Sequence, residues 1–267
     1  MTKSKQLKIE DLTSLIKKGY KCKDLLKELN VSKSTLYNYL RKYKLTIPKE
    51  ELYFDNTVFD NIDSDEKAYW LGFLYADGFV NGKYNNSVEL SLKADDKEHL
   101  EKFNKFLKNK KPIIVSKAAS INNKEYFRCR CIITDKYFHD RLIELGCVSN
   151  KSLILVFPPL KIFSNNDLVY SFIRGYIDGD GSITNTSRNK LRISILGTKE
   201  FLSSIQDIFK NKFGKLLSTR SSKKGINNYH IVSECSKAID VGNLLYKNAT
   251  VYLERKYKKF AELSRNT

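Results

Sequence analysis

No stretch of this sequence stays apolar for the length that a membrane-spanning helix needs, and its first residues hold no long apolar segment. Neither a bilayer span nor a secretory leader is therefore expected. Cysteine is sparse: Cys22, Cys129, Cys131, Cys147 and Cys235 are scattered and odd in number, which excludes a disulfide framework. No pair among these and His139 has the short loop usual between zinc ligands. Cys129 and Cys131 have strand spacing and are expected as small core residues. Acidic side chains are outnumbered, 30 Asp and Glu against 48 Lys and Arg, which leaves a formal charge of +18. Such a surplus calls for a polyanionic partner. Nucleic acid is the first candidate, because counterion release from phosphates gives basic proteins sequence-independent affinity. The chain is expected to be soluble and to work in a reducing compartment, cytoplasmic or organellar.

What is present is a sizeable core and a punctuated chain. Apolar residues make up 41% of the 267, enough for two moderate domains or for one larger unit with a small appendage. Residues 1–45 form the appendage. Leu7, Ile9, Leu12, Leu15 and Ile16 have helical spacing that ends at Gly19-Tyr20. Leu25, Leu26 and Leu29 mark a second helix closed by Asn30, and Ser32 caps a third through Leu36, Tyr39 and Leu40. Three short helices with a tight last turn describe a helix-turn-helix. VSKSTLYNYLRKY (31–43) resembles the second half of that motif in site-specific resolvases and invertases. Val31, Leu36 and Leu40 would pack inward, leaving Lys33, Ser34, Thr35, Asn38 and Arg41 to face a DNA groove. Residues 46–64, with Pro48 stopping the helix and no sustained period after it, are expected as a linker.

From residue 65 the chain repeats itself. AYWLGFLYADGFV (68–80) is echoed by SFIRGYIDGDGSI (171–183), with Asp77 and Asp180 in register. Alternation follows in each copy, at Val88, Leu90 and Leu92 and at Leu191, Ile193 and Ile195. Amphipathic helices are then expected over 96–108 and 199–212, strands over 112–118, 126–134, 215–220 and 229–234, and closing helices over 136–145 and 236–247. The fold class is α+β: two pseudo-symmetric αββαββα halves, 65–157 and 170–267, joined by a connector over 158–169 that contains Pro158-Pro159. A long period present only twice suggests a paired structure rather than a solenoid.

The repeated element is a helix ending at Gly78 or Gly181, where a left-handed exit is expected. Gly72 and Ala76, or Gly175 and Gly179, lie four apart on one face. Small residues at that spacing let two backbones approach. If the two helices pack along that face, their C-terminal ends meet and bring Asp77 beside Asp180. Two carboxylates at short range, at the negative ends of two helix dipoles, demand a cation. Mg²⁺, which takes oxygen ligands and keeps part of its water shell, fits. Asp178, roughly 200° away around the helix, should point elsewhere.

WLGFLYADG (70–78) and IRGYIDGDG (173–181) resemble the paired nine-residue motif of LAGLIDADG homing endonucleases, in the form with both halves in one chain. The first copy departs from the pattern at Trp70 and Tyr75, the latter standing where an acidic residue is usual. The resemblance implies that Asp77 and Asp180, helped by the carbonyls of Ala76 and Gly179, bind Mg²⁺ or another divalent ion such as Mn²⁺. It implies double-strand cleavage across the minor groove that leaves short 3′ overhangs. Lys151 and Lys256, just after the closing helix of each copy, match the basic residue beside each carboxylate. It further implies two four-stranded sheets forming a saddle on double-stranded DNA with a long specific site, bound by a monomer. Alternation would then point Phe127, Cys129 and Cys131 inward and Arg128 and Arg130 to DNA, and likewise Ile193 and Ile195 inward and Arg192 and Ser194 outward. Lys83, Asn85, Arg188, Lys190, Arg220, Lys223 and Lys224 would contact phosphates or outer bases.

An RNA-binding intron maturase and a non-cutting DNA-binding regulator of the same fold are the alternatives. The retained Asp pair disfavours the regulator, and the recognition helix suits a B-form groove better than A-form RNA. Deleting residues 1–45 is expected to weaken affinity or shorten the footprint on DNA without abolishing catalysis. A footprinting comparison that shows no change would refute a DNA-binding role for that segment.

Overall fold

The computed structural model describes residues 7–47, 53–82, 85–121, 124–149, 151–221 and 229–267, without the side chains of residues 121, 124, 152, 220 and 221. It divides into two compact units, Met1–Leu52 and Tyr53–Thr267.

The first unit is three helices: α1 (Ile9–Lys17), α2 (Cys22–Leu29) and α3 (Lys33–Lys42). Leu7, Leu12, Leu25, Leu36 and Leu40 form its core, and Val31 packs against them half-buried. The expected punctuation is present. Asn30 ends α2 in the left-handed conformation with φ 48°, and the Ser32 hydroxyl accepts from the Thr35 N–H at 3.1 Å to start α3.

The second unit is built on two helices, α4 (Asp65–Asp77) and α7 (Asp167–Asp180). Every residue of α4 from Ala68 to Ala76 is buried, so the helix is covered on all sides, as a central element must be. Each of these helices runs directly into a four-stranded antiparallel sheet. The first sheet comprises β1 (Gly78–Val80), β2 (Ser87–Lys93), β3 (Ile114–Ile121) and β4 (Lys124–Thr134), in the order β1-β2-β4-β3. The second comprises β5 (Gly181–Asn185), β6 (Leu191–Gly197), β7 (Ser218–Ser221) and β8 (Tyr229–Glu234), in the order β5-β6-β8-β7. Helices α5 (Lys97–Phe106) and α6 (Lys136–Glu144) belong to the first half, and α8 (Lys199–Phe213), α9 (Ser236–Tyr246) and α10 (Glu254–Arg265) to the second. The two sheets have the same connectivity, which confirms the doubled α+β fold.

Four expectations are corrected. Residues from Phe54 onward are not linker, because Phe54, Val58, Phe59 and Ile62 are buried in the main core; their irregular spacing gave no period to detect. Phe127 is 46% exposed. It lies one residue beyond the end of β2, whose last pair is Lys93 with Arg128, so the β3–β4 ribbon continues there without a covering layer. Gly78 and Gly181 are extended, with φ −69° and −82°, rather than left-handed. Lys256 follows the closing helix α9 as expected, but it lies in the first turn of a further helix, α10, which its charge-rich sequence had hidden.

The α4–α7 contact fixes the rest. A Cβ on Gly72 would stand 2.0 Å from the carbonyl oxygen of Phe172, and one on Gly175 2.0 Å from that of Tyr69. A methyl cannot fit against backbone at that range, so the missing side chains are what allow the helices to touch. Across the same contact, Arg174, only 2% exposed, pairs with Asp65 at 2.6 Å and donates to the carbonyls of Leu245 and Val251. Asp65 also accepts from Ser171 and Thr250, so a buried charge is fully partnered. Gly175→Ala is expected to lower the unfolding free energy by about 1–3 kcal/mol through overpacking. A denaturant titration showing no loss would mean that the helices are not held at backbone contact.

Candidate functional site

The two helices end at the same place in the repeat, and strands leave at once. Gly78 and Gly181 are required there by space: a Cβ would come within 2.5 Å of the Leu74 carbonyl oxygen or 2.6 Å of the Ile177 one. The chain therefore turns out of each helix on top of the preceding turn, leaving Asp77 and Asp180 exposed at the two ends. The ends are close, since a Cβ on Gly179 would meet the Ala76 methyl at 2.3 Å and the Asp77 Oδ2 at 3.3 Å. The proximity shows in the acidity. Surrounding protein, and then the charge of Asp180, push the Asp77 carboxyl up to about 6, and the same desolvation raises Asp180.

Both lysines come to these helix ends from other elements. Lys151, in a short 3-10 turn over Lys151–Leu153, donates from Nζ to the carbonyls of Leu74 at 2.9 Å and Gly78 at 2.5 Å. Lys256 donates to Ile177, Asp178 and Gly181 at 2.7 Å each and to Gly179 at 3.0 Å. The last carbonyls of a helix have no intrahelical partner, and a cation there also opposes the helix dipole. Burial nevertheless pulls Lys151 below the usual lysine range and Lys256 down to about 8. Beside Asp180, Lys151 lines a cavity of about 270 Å³ together with Tyr75, Tyr176 and Thr198.

Asp178 points away from this cluster, as its helical position predicts. It is buried, accepts from Tyr69 Oη at 2.8 Å, from Tyr246 Oη at 3.3 Å and from the Leu253 N–H at 2.7 Å, and so anchors the residue before α10. At the matching place in the first copy, Tyr75 Oη donates to the Leu145 carbonyl. Each half thus ties its helix to the segment that follows its closing helix, by opposite chemistry. Arg174, Tyr69 and the Asp65 cluster were missed in the sequence because each pairs with residues distant in the chain.

The donor set suits a hard divalent cation. Two carboxylates with raised pKa values share one place, and the carbonyls of Ala76 and Gly179 belong to the same two helix ends. Among the described residues no group of three or more His, Cys, Asp and Glu forms a metal-holding cluster. Carboxylate and carbonyl oxygens of this kind fit Mg²⁺, which is commonly held by one or two carboxylates with water and substrate phosphate completing its shell, better than they fit zinc, which favours Cys and His.

The expected nucleic-acid contacts divide by environment. On α3, Lys33, Ser34, Asn38 and Arg41 are exposed, whereas Thr35 is half-buried with its hydroxyl 2.8 Å from that of Ser32. In the larger unit Asn85, Arg128 and Arg188 are exposed and Ser194 is half-buried. Arg130 lies 3.9 Å from Glu89, and Arg192 pairs with Glu234 at 2.7 Å. Lys190 is half-buried, and its Nζ donates to the backbone oxygens of Asn266 at 3.0 Å and Thr267 at 3.2 Å. Lys83, Lys223, Lys224 and the Arg220 side chain lie outside the described residues. Cys129, Cys131, Ile193 and Ile195 are buried as expected. No helix among the described residues is long and apolar enough to cross a membrane.

Doubled αββαββα halves meeting at two Asp-ended helices define a LAGLIDADG-type fold, and comparison bears this out. Residues 167–241 match the family described as a LAGLIDADG-like domain, and residues 3–43 match the helix-turn-helix domain of resolvase. The homing endonuclease I-WcaI bound to its DNA recognition sequence has a similar structure, with TM-score 0.54 and 15% identity over 89% of this chain and 97% of that one. The I-LtrWI LAGLIDADG homing endonuclease bound to target DNA is more distant, with TM-score 0.46 and 14% identity over 76% and 90%. An uncharacterized protein of Methanocaldococcus jannaschii is 28% identical over 183 residues, which is 66% of this chain and 65% of that relative. The match thus spans less than two thirds of that relative's length.

Because the folded Asp77 carboxyl holds its proton up to about 6, against 3.8 for a free side chain, folding takes up a proton in that window. Stability contributed by this group therefore falls as pH rises from about 4 to about 6 and is level above. In metal-free protein, Asp77→Asn is expected to raise the denaturant midpoint near neutral pH and to flatten this slope. A midpoint lowered by the substitution would show that the ionised carboxylate stabilises the fold.

Proposed function

We propose that the chain is a site-specific, metal-dependent double-strand DNA endonuclease that hydrolyses phosphodiester bonds across the minor groove and leaves short 3′ overhangs. The observation that carries this reading is the meeting of Asp77 and Asp180 at two helix ends, each end with its own lysine. A helix end packed for structure alone would not hold two carboxylates together where the charge of Asp180 raises the cost of ionising Asp77.

Asp77 and Asp180, with the carbonyls of Ala76 and Gly179, would hold the divalent cation. When bound, Mg²⁺ or Mn²⁺ supplies Lewis-acid polarisation of the scissile phosphate and of a nearby water. The protein's own residues do the rest. The two carboxylates fix the position of positive charge against the backbone of each strand. Lys151 and Lys256, one for each half, offset negative charge that grows on the phosphate as its bond to the 3′-oxygen breaks. The outer faces of the two sheets, with Arg128, Arg130, Arg188, Arg192, Ser194 and Asn85, lie along the duplex as a monomeric saddle. Arg130 and Arg192 would exchange Glu89 and Glu234 for DNA. The helix-turn-helix extends the contact through Lys33, Ser34, Asn38 and Arg41, and the +18 charge supplies salt-dependent affinity.

The test is selection of binding sites from a random duplex library, followed by incubation of the selected duplex with Mg²⁺ or with EDTA. Cutting that requires the metal supports the proposal. Tight binding without cutting in any divalent ion would instead make the chain a DNA-binding regulator. Asp180→Asn is expected to lower double-strand cleavage at least about a hundredfold while leaving binding within a few-fold. Loss of binding together with cleavage would make Asp180 structural.

A further inference from the structure

The two lysines are matched in place but not in freedom. An ammonium group has three N–H donors. Lys256 faces four carbonyl oxygens, those of Ile177, Asp178, Gly179 and Gly181, all within 3.0 Å, so its donors are fully engaged. Lys151 reaches only the carbonyls of Leu74 and Gly78, which the repeat aligns with those of Ile177 and Gly181. It does not bond those of Tyr75 and Ala76, which align with Asp178 and Gly179. One donor of Lys151 is therefore left over among the described residues. The setting differs in the same direction. Lys256 is 7% exposed on a helix whose preceding residue, Leu253, is held by Asp178. Lys151 sits in a short 3-10 turn at the wall of a cavity of about 270 Å³ that also exposes Asp180.

We infer that the two halves cut at unequal rates, the half served by Lys151 first, so that the protein works through a nicked duplex. The inference rests on the endonuclease reading. On each strand a water oxygen bonds to phosphorus as the bond from phosphorus to the 3′-oxygen breaks. Water gives up a proton to solvent and the 3′-oxygen takes one up, leaving a 5′-phosphate and a 3′-hydroxyl with no change of oxidation state. Lys151 can turn its spare N–H to the phosphate while keeping both carbonyl bonds. Lys256 must first release carbonyls at the end of α7, where the helix dipole and burial both hold it. That release is a step added to one strand only.

The test uses the full chain in excess over a library-selected duplex carrying a different label on each strand, with Mg²⁺ added to start a single turnover. One strand is expected to be cut at least about tenfold faster than the other, with nicked duplex accumulating between, and Lys151→Met is expected to slow that faster strand more than the other. Equal strand rates, or a Lys151→Met effect chiefly on the slower strand, would overturn the inference and leave the endonuclease reading intact. Failure to cut either strand in any divalent ion would overturn both. The premise can be checked without cleavage, and without a variant that must fold, by acylating surface amines of the metal-free wild-type protein and mapping them by mass spectrometry. Lys151 is expected to be modified well before Lys256, and equal protection would contradict the asymmetry.

Discussion

Everything in the larger unit follows from how closely α4 and α7 approach. With carbonyl oxygens of one helix only 2.0 Å from where a Cβ of the other would stand, the pair is in backbone contact, and this is open only to residues without side chains at those points. Close packing fixes the axial register of the two helices, because a shift of one residue would bring a side chain against a carbonyl. Register in turn sets which residues share the helix ends. Asp77 and Asp180 come together because Gly72 rests on the Phe172 carbonyl and Gly175 on that of Tyr69.

A contact of this kind creates an electrostatic problem as it solves a steric one. Two helix C-termini, both partially negative, and two carboxylates converge in a small volume. The protein answers in part with lysines drawn from outside the helices, each placed on the terminal carbonyls of one helix. It answers no further among its described residues: the carboxyl of Asp77 remains raised to about 6. This residual tension is what a divalent cation would relieve, and it gives the proposed chemistry a physical origin in the fold. Around it, the Asp65–Arg174 pair and Asp178 with its two tyrosines hold neighbouring segments to the same helices, so that the buried charges are satisfied away from the open ends.

Much of this was legible because it repeats. Two copies in register exposed the motif, the aspartates and the small-residue face, and alternation located β2 and β6. Asp178 was correctly directed elsewhere by helical geometry alone. Other features left weak traces. β1 spans three residues, Gly78–Val80, too few to show alternation. The extended exits at Gly78 and Gly181 go against the usual meaning of a helix-terminal glycine, because the constraint is a collision with the turn below and not a backbone angle. Lys151 and Lys256 could be placed near the site, but their engagement with carbonyls depends on chain segments more than seventy residues away. The buried stretch from Phe54 to Ile62 lacked a period because it packs as turns.

The central claim is that the meeting of α4 and α7 builds a divalent cation site from Asp77 and Asp180. Electron paramagnetic resonance of Mn²⁺ titrated into the protein bound to its selected duplex addresses it directly. The account predicts saturable binding that is lost in the Asp77→Asn, Asp180→Asn double variant while the duplex stays bound. Undiminished Mn²⁺ binding in that double variant would contradict it.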